Sequence, residues 1–275
     1  MQRGRLITAA VVALFAQASA VGTAGAGGPS ERDLNTPAVG HVVAEGFRTS
    51  PDACLFESVE PLQLAANGEM EWIAIAVDDG CTASVAARWE GSLADAPFDL
   101  NQVPLESDEP SGRTTTEAAP TTPAPVQSGA VASGCKTSEG VTYMYGFGGT
   151  LDKLTNKGGR LSFCWNGTVA WMQSQSGSCW GSDPPGGWYW KVDLCYTSTS
   201  SGSPYPGQPV WRTGTGNFHC TPATSWPCDL SNPTGYYHWL KDSETGYPNG
   251  FSICGFDWGG QVVQGVGAYV VQGCS

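Results

Sequence analysis

The stretch LSFCWNGTVAWM, residues 161–172, decides the class of fold. Leu161, Phe163 and Trp165 recur at every second position, the spacing that lines one face of a strand. Asn166-Gly167 follows, and both residue types tolerate the positive φ of a tight hairpin turn. Thr168 to Met172 returns as a second strand. The reading is a β-hairpin, and its signature recurs on both sides. Trp188, Trp190, Val192, Leu194 and Tyr196 alternate over nine residues, with Lys191 and Asp193 facing the other way. Alternation of this kind is first of all the signal of a strand with one face on the core. Shorter runs follow at 141–147, 209–212, 217–220, 235–240, 251–256 and 261–271, separated by Gly, Pro, Ser and Asn. Helical periodicity is nearly absent. Eight or nine short strands predict a disulfide-rich β-sandwich or jelly roll over residues 132–275.

Residues 21–105 read as β as well. Pro61–Ala66, Glu69–Val77 and Cys81–Trp89 are strand-like, with Asn67-Gly68 and Asp79-Gly80 between them. These turns predict a three-stranded meander, joined by 40–47 and 53–59. The fold class is therefore all-β throughout. Residues 106–131, ESDEPSGRTTTEAAPTTPAPVQSGAV, hold four Pro and five Thr without an aromatic or a Cys. Such a segment cannot bury a core and reads as an extended linker. The expected organisation is two β-modules, a small acidic one at 21–105 and an aromatic one at 132–275.

The first 20 residues resemble a secretory signal peptide: Arg3 and Arg5, an apolar run from Leu6 to Ala16, then Ala18-Ser19-Ala20 as a small-x-small cleavage site. The run is too short for a membrane span, which takes about 20 residues. The expected location is secreted, extracellular or on the cell surface. Ten Cys, an even number, fit that oxidising setting, and no CxxC or clustered His points to zinc. All ten are expected to pair, Cys54 with Cys81 as the only two of the first module, and Cys220 with Cys228 locally. The formal net charge of −12, with 13 basic residues, excludes a basic face for nucleic acid. No motif asks for a cofactor.

The C-terminal part carries 23 aromatics in 144 residues. Flat rings stack on sugars, so those in turn-like segments are the ligand-binding candidates: Trp180, Trp188, Tyr205, Trp226 and Tyr247. Trp165, Trp171, Trp190 and Trp258 read as core. Paired carboxylates would signal a glycan hydrolase; Asp193 in mid-strand, Asp257 and Glu244 are the candidates, and solvated surface acids are the preferred reading. Gly250-Phe-Ser-Ile-Cys254 lacks the second Gly and the helix of a nucleophile elbow. His219 and His238 are lone histidines, more often structural than catalytic. Asn166-Gly167-Thr168 is a glycosylation sequon on a hairpin tip. The loop Cys220–Cys228 resembles in size, and in its Cys-Thr start, the reactive loop of Bowman–Birk-type protease inhibitors. Pro222 there suits few protease pockets, so a stapled turn is the preferred reading. The first expectation is an exported, non-catalytic protein that binds carbohydrate or a cell-envelope surface. A structural or adhesive envelope protein, a secreted glycan hydrolase and a protease inhibitor are the alternatives.

Overall fold

A computed structural model describes residues 34–50, 53–97, 133–146, 152–182, 189–200, 205–221, 237–263 and 268–275. The expected signal peptide, the linker, Trp188, Trp226 and residues 222–228 of the Cys220–Cys228 loop lie outside these residues. The described strands are, in the first segment, β1 (Val42–Glu45), β2 (Phe47–Ser50), β3 (Ala53–Phe56), β4 (Leu62–Ala65), β5 (Glu71–Val77) and β6 (Thr82–Glu90). The second segment adds β7 (Gly134–Gly146), β8 (Asp152–Trp165), β9 (Ala170–Gly181), β10 (Tyr189–Thr199), β11 (Val210–Thr221), β12 (Tyr237–Gly246), β13 (Ser252–Val263) and β14 (Ala268–Cys274). The protein is all-β, as the alternation requires.

Two antiparallel sheets face each other. The first has the order β1-β6-β5-β14-β7-β8-β9, the second β10-β11-β12-β13-β3-β2, with β4 also pairing β13. Their inner faces meet in one core. Ile73, Ile75 and Val77 of β5, Met144 of β7 and Val270 of β14 pack against Phe218, Leu240, Phe256 and Trp258 of the other sheet. Phe56 meets Trp258 edge-on with centroids 5.2 Å apart, a geometry the ring quadrupoles favour.

The expected pair of self-contained modules does not describe these sheets. β5, from the first segment, pairs along its whole length with β14, and β3 and β4 pair with the second and first halves of β13. The expected meander is corrected in the same way, because β4 leaves for the second sheet. The reason is loop length. A tight hairpin leaves two residues between strands, whereas five separate β4 from β5. Gly68, at φ +96°, turns the chain across to the other sheet instead.

Disulfides reinforce this. Cys54–Cys81, Cys179–Cys195 and Cys254–Cys274 each tie one sheet to the other, while Cys135–Cys164 joins neighbours β7 and β8. Cys220 is disulfide-bonded too, its partner lying outside the described residues. The bonded state of Cys254 closes any reading of it as a nucleophile. Among the described residues no helix is long and apolar enough to cross a membrane. The disulfides are compatible with an extracellular protein.

Candidate functional site

The outer face of the second sheet is built by strict alternation on β11 and β12, with Asp257 and Gly259 of β13 beside them. Inward positions of β12 are His238, Leu240, Asp242 and Glu244, and all are buried. The outward set is therefore Tyr237, Trp239, Lys241, Ser243 and Thr245. Opposite them on β11 stand His219, Asn217, Thr215, Thr213 and Trp211. β10 joins this face through a fault in its pattern. A bulge between Val192 and Leu194 shifts the register, so Trp190 and Val192 face the core while Leu194 and Tyr196 face solvent. The expected unbroken alternation is thus corrected beyond Val192, because one extra residue inverts the parity of every later position on the strand.

An open platform results. Tyr196 is 47% exposed, Tyr237 49% and Leu194 45%. Trp239 lies across its β13 partner Gly259, where a Cβ would sit 2.8 Å from the indole. Only glycine lets the indole settle this close to the sheet. Polar groups surround the rings. Asn217 stands opposite Trp239, Lys241 opposite Asp257, and Asp193 pairs with His219 Nδ1 at 2.5 Å. Burial raises the Asp257 carboxyl above its ordinary value, with the Lys241 charge pulling the other way.

The expected loop residues fall elsewhere. Trp180, on β9, belongs to the outer face of the first sheet, with Lys153 Nζ 4.6 Å over its ring. Lys153 also lies over Tyr143, which continues into a stack of Trp72 and Trp89. That strip is largely closed, because Trp72 and Tyr145 are buried and Leu93 and Ala96 pack on it. Tyr205, 66% exposed, and Tyr247 sit at one end of the molecule. The turns carrying them meet the β8–β9 tip through Gly207 N–H to Thr168 O and Gly167 N–H to Pro248 O. Next to the Tyr247 turn is a groove of about 460 Å³ of mixed lining, formed by Ala66, Asn67, Lys136, Thr137, Asn249 and Phe251. Tyr247 packs on Phe251, centroids 6.2 Å apart. So the turns of Tyr205 and Tyr247 share the β8–β9 tip, while Trp180 lies on the outer face of the first sheet.

The hydrolase candidates do not converge either. Asp193 and Asp257 lie on β10 and β13, three strand spacings or about 14 Å apart at least, beyond the window of either glycosidase geometry. Glu244 is not a surface acid in a turn. It points inward from β12 and is wholly buried.

With Glu244 are Asp242, Arg212 of β11 and Lys157 of β8, all 0% exposed. Arg212 Nη1 donates to Asp242 Oδ2 at 2.8 Å and to Glu244 Oε2 at 2.5 Å, and Lys157 Nζ lies 3.1 Å from Asp242 Oδ1. Glycines make the room. A Cβ on Gly159 would fall 1.7 Å from Arg212 Nη1, and one on Gly214 2.7 Å from Lys157 Nζ. Burial, then the Asp242 charge, push Glu244 up to about 8. Burial lowers Lys157 against the opposing pull of Asp242. His238 is also interior: burial pushes it down to about 3, and its Nε2 bonds Thr155 Oγ1 at 2.6 Å. A sequence signal for the quartet existed, in charges alternating with Gly at Lys157-Gly-Gly, Arg212-x-Gly214 and Asp242-x-Glu244. Gly removes the volume that a charged neighbour fills.

Among the described residues no three His, Cys, Asp or Glu are grouped to hold a metal ion. The class defined is an all-β, disulfide-bonded protein of two antiparallel sheets. Compared with known proteins, the chain matches no family model, no curated relative and no solved structure.

Proposed function

We propose that the protein is an exported, non-catalytic binder of carbohydrate, acting through the open face of the second sheet. The observation that carries this is the join of flat rings, Tyr237 and Tyr196 exposed and Trp239 half-buried, with the hydrogen-bonding side chains Asn217, Lys241 and Asp257 on one sheet face. A sugar ring offers an apolar C–H face to an aromatic and hydroxyls to amides and carboxylates. Side chains fixed on paired strands lose little entropy on binding. The cell envelope or another glycan-bearing surface is the partner that fits. The closed aromatic strip of the first sheet lacks this access.

The test is retention of the secreted full-length protein on insoluble polysaccharides and a glycan array, read beside the thermal midpoint. Trp239→Ala and Tyr237→Ala should each weaken retention at least about 30-fold, the equivalent of a 2 kcal/mol contact. Tyr237→Ala should leave the midpoint within a degree or two, since the ring is half exposed. Full retention by both variants, or none by the wild type on any glycan, removes the reading.

A further inference from the structure

The quartet poses a physical problem that ion pairing alone does not solve. Four ionisable groups lie fully inside the sandwich. Desolvating each is expensive, and pairing returns that only when every polar atom is satisfied. Here Arg212 Nε and Nη2 and Glu244 Oε1 have no protein hydrogen-bond partner. Among the described residues, the other strands packed on the site bring no further charge to it. β7 contributes Gly140 and Ser138, β9 contributes Gly177, and β13 contributes Cys254 and Phe256.

We propose that Lys157 and Asp242 condense into an intramolecular amide that cross-links β8 to β12, and so one sheet to the other. The Nζ and carboxyl lie in contact, 3.1 Å apart, with both side chains fully buried. Such fixed approach replaces the encounter that makes the same condensation negligible between free side chains. The balance is simple. One ammonium proton passes to the Asp242 carboxylate, giving a neutral amine and a neutral acid. The amine attacks Cγ and the C–N bond forms. Arg212 Nη1, 2.8 Å from Oδ2, holds the negative charge that develops on that oxygen. A second Nζ proton moves to Oδ1, the Cγ–Oδ1 bond breaks, and water leaves. The remaining N–H keeps its bond to the Gly158 carbonyl, to which Nζ already donates at 2.8 Å. No oxidant, nucleotide or metal enters.

The exit is also built. Gly177, on the edge strand β9, is exposed, and a Cβ there would lie 2.5 Å from Arg212 Nη2 and 3.3 Å from Lys157 Nζ. One bare backbone position therefore separates the site from solvent. After condensation two charges are gone, and a single Arg212–Glu244 pair remains. The bond would join three disulfides that already staple the sheets.

The experiment is a tryptic digest of the reduced, alkylated wild-type protein. Trypsin cuts after Lys153, Arg160 and Lys241, and an acylated Lys157 blocks cutting there. The expected product is Leu154–Arg160 joined to Asp242–Ser275, lighter by one water than the two peptides together, and resistant to reductant. Lys157→Arg should restore the full mass and release Asp242–Ser275 as a separate peptide. Unmodified Asp242–Ser275 as the main form from the wild type overturns the proposal. The wild-type digest decides even if the variant does not fold.

Discussion

At the scale of single residues, burial sets the chemistry of His238 and Glu244 in opposite directions. His238 is pushed from 6.5 down to about 3. Below pH 6.5 the unfolded chain takes up a proton that the folded chain refuses, so stability falls as pH drops through that window. Glu244 is raised from 4.5 to about 8. Between those values the folded chain keeps a proton the unfolded chain has lost. Its contribution is complete below 4.5 and lost as pH rises towards 8. The two slopes oppose each other between 4.5 and 6.5, so stability is flattest there and declines on both sides. Thermal unfolding across pH 3 to 8 checks this, and a midpoint climbing from 6.5 to 8 would contradict it. An amide at Asp242 removes the second push on Glu244 and makes the upper limb shallower, while burial, the larger push, remains.

At the scale of elements, the edge strands β9 and β10 depend on one bond. They end their respective sheets, and Cys179–Cys195 is the covalent link between them, with a sequence separation of 16. Their middles are exposed, Gln173 to Ser178 on β9 and Asp193 to Tyr196 on β10. Little burial there opposes fraying. The double variant Cys179→Ser with Cys195→Ser should lower stability by roughly 3 kcal/mol, the value for a loop of this size. Amide hydrogen exchange should accelerate first in β9 and β10. Equal acceleration in β5 and β14, at the centre of the first sheet, would show that the bond acts globally instead. The bulge in β10 belongs to this scale too. Residues 188–196 alternate without a break in sequence, and nothing in their identities marks Asp193 as the extra residue. Only its pairing with β11 reveals it.

At the scale of the whole molecule, the two chain segments complete each other. Take residues 34–97 away and β13 loses β3 and β4 while β14 loses β5. No described disulfide joins the segments, so strand pairing, the shared core and a few side-chain hydrogen bonds, such as Lys136 Nζ to Ala66 O, would hold them once the connecting chain is cut. Proteolytic cutting within residues 106–131, which are rich in Pro and Thr, should therefore give two fragments that co-elute under native conditions. They should separate only in denaturant. Fragments that part freely, each still folded, would restore two self-contained modules. The isolated 132–275 chain should be aggregation-prone, because β13 and β14 would offer unpaired edges.

Local structure was legible in the order of the residues. Period-2 alternation set the strands, Asn-Gly and Asp-Gly set turns between them, and an even Cys count in each segment foretold Cys54–Cys81. Those are short-range properties, governed by pleat geometry and allowed φ. Which strand lies beside which was settled by packing alone. Backbone hydrogen bonds carry no residue identity, so no side chain names β14 as the partner of β5. The same ignorance hid the candidate sites. Trp239, Tyr237 and Tyr196 come from two strands, and Lys157 meets Asp242 across 85 residues of chain and between two sheets. Packing two twisted sheets face to face chose those neighbours, because only that closure buries Trp258, Phe218 and Ile75 together.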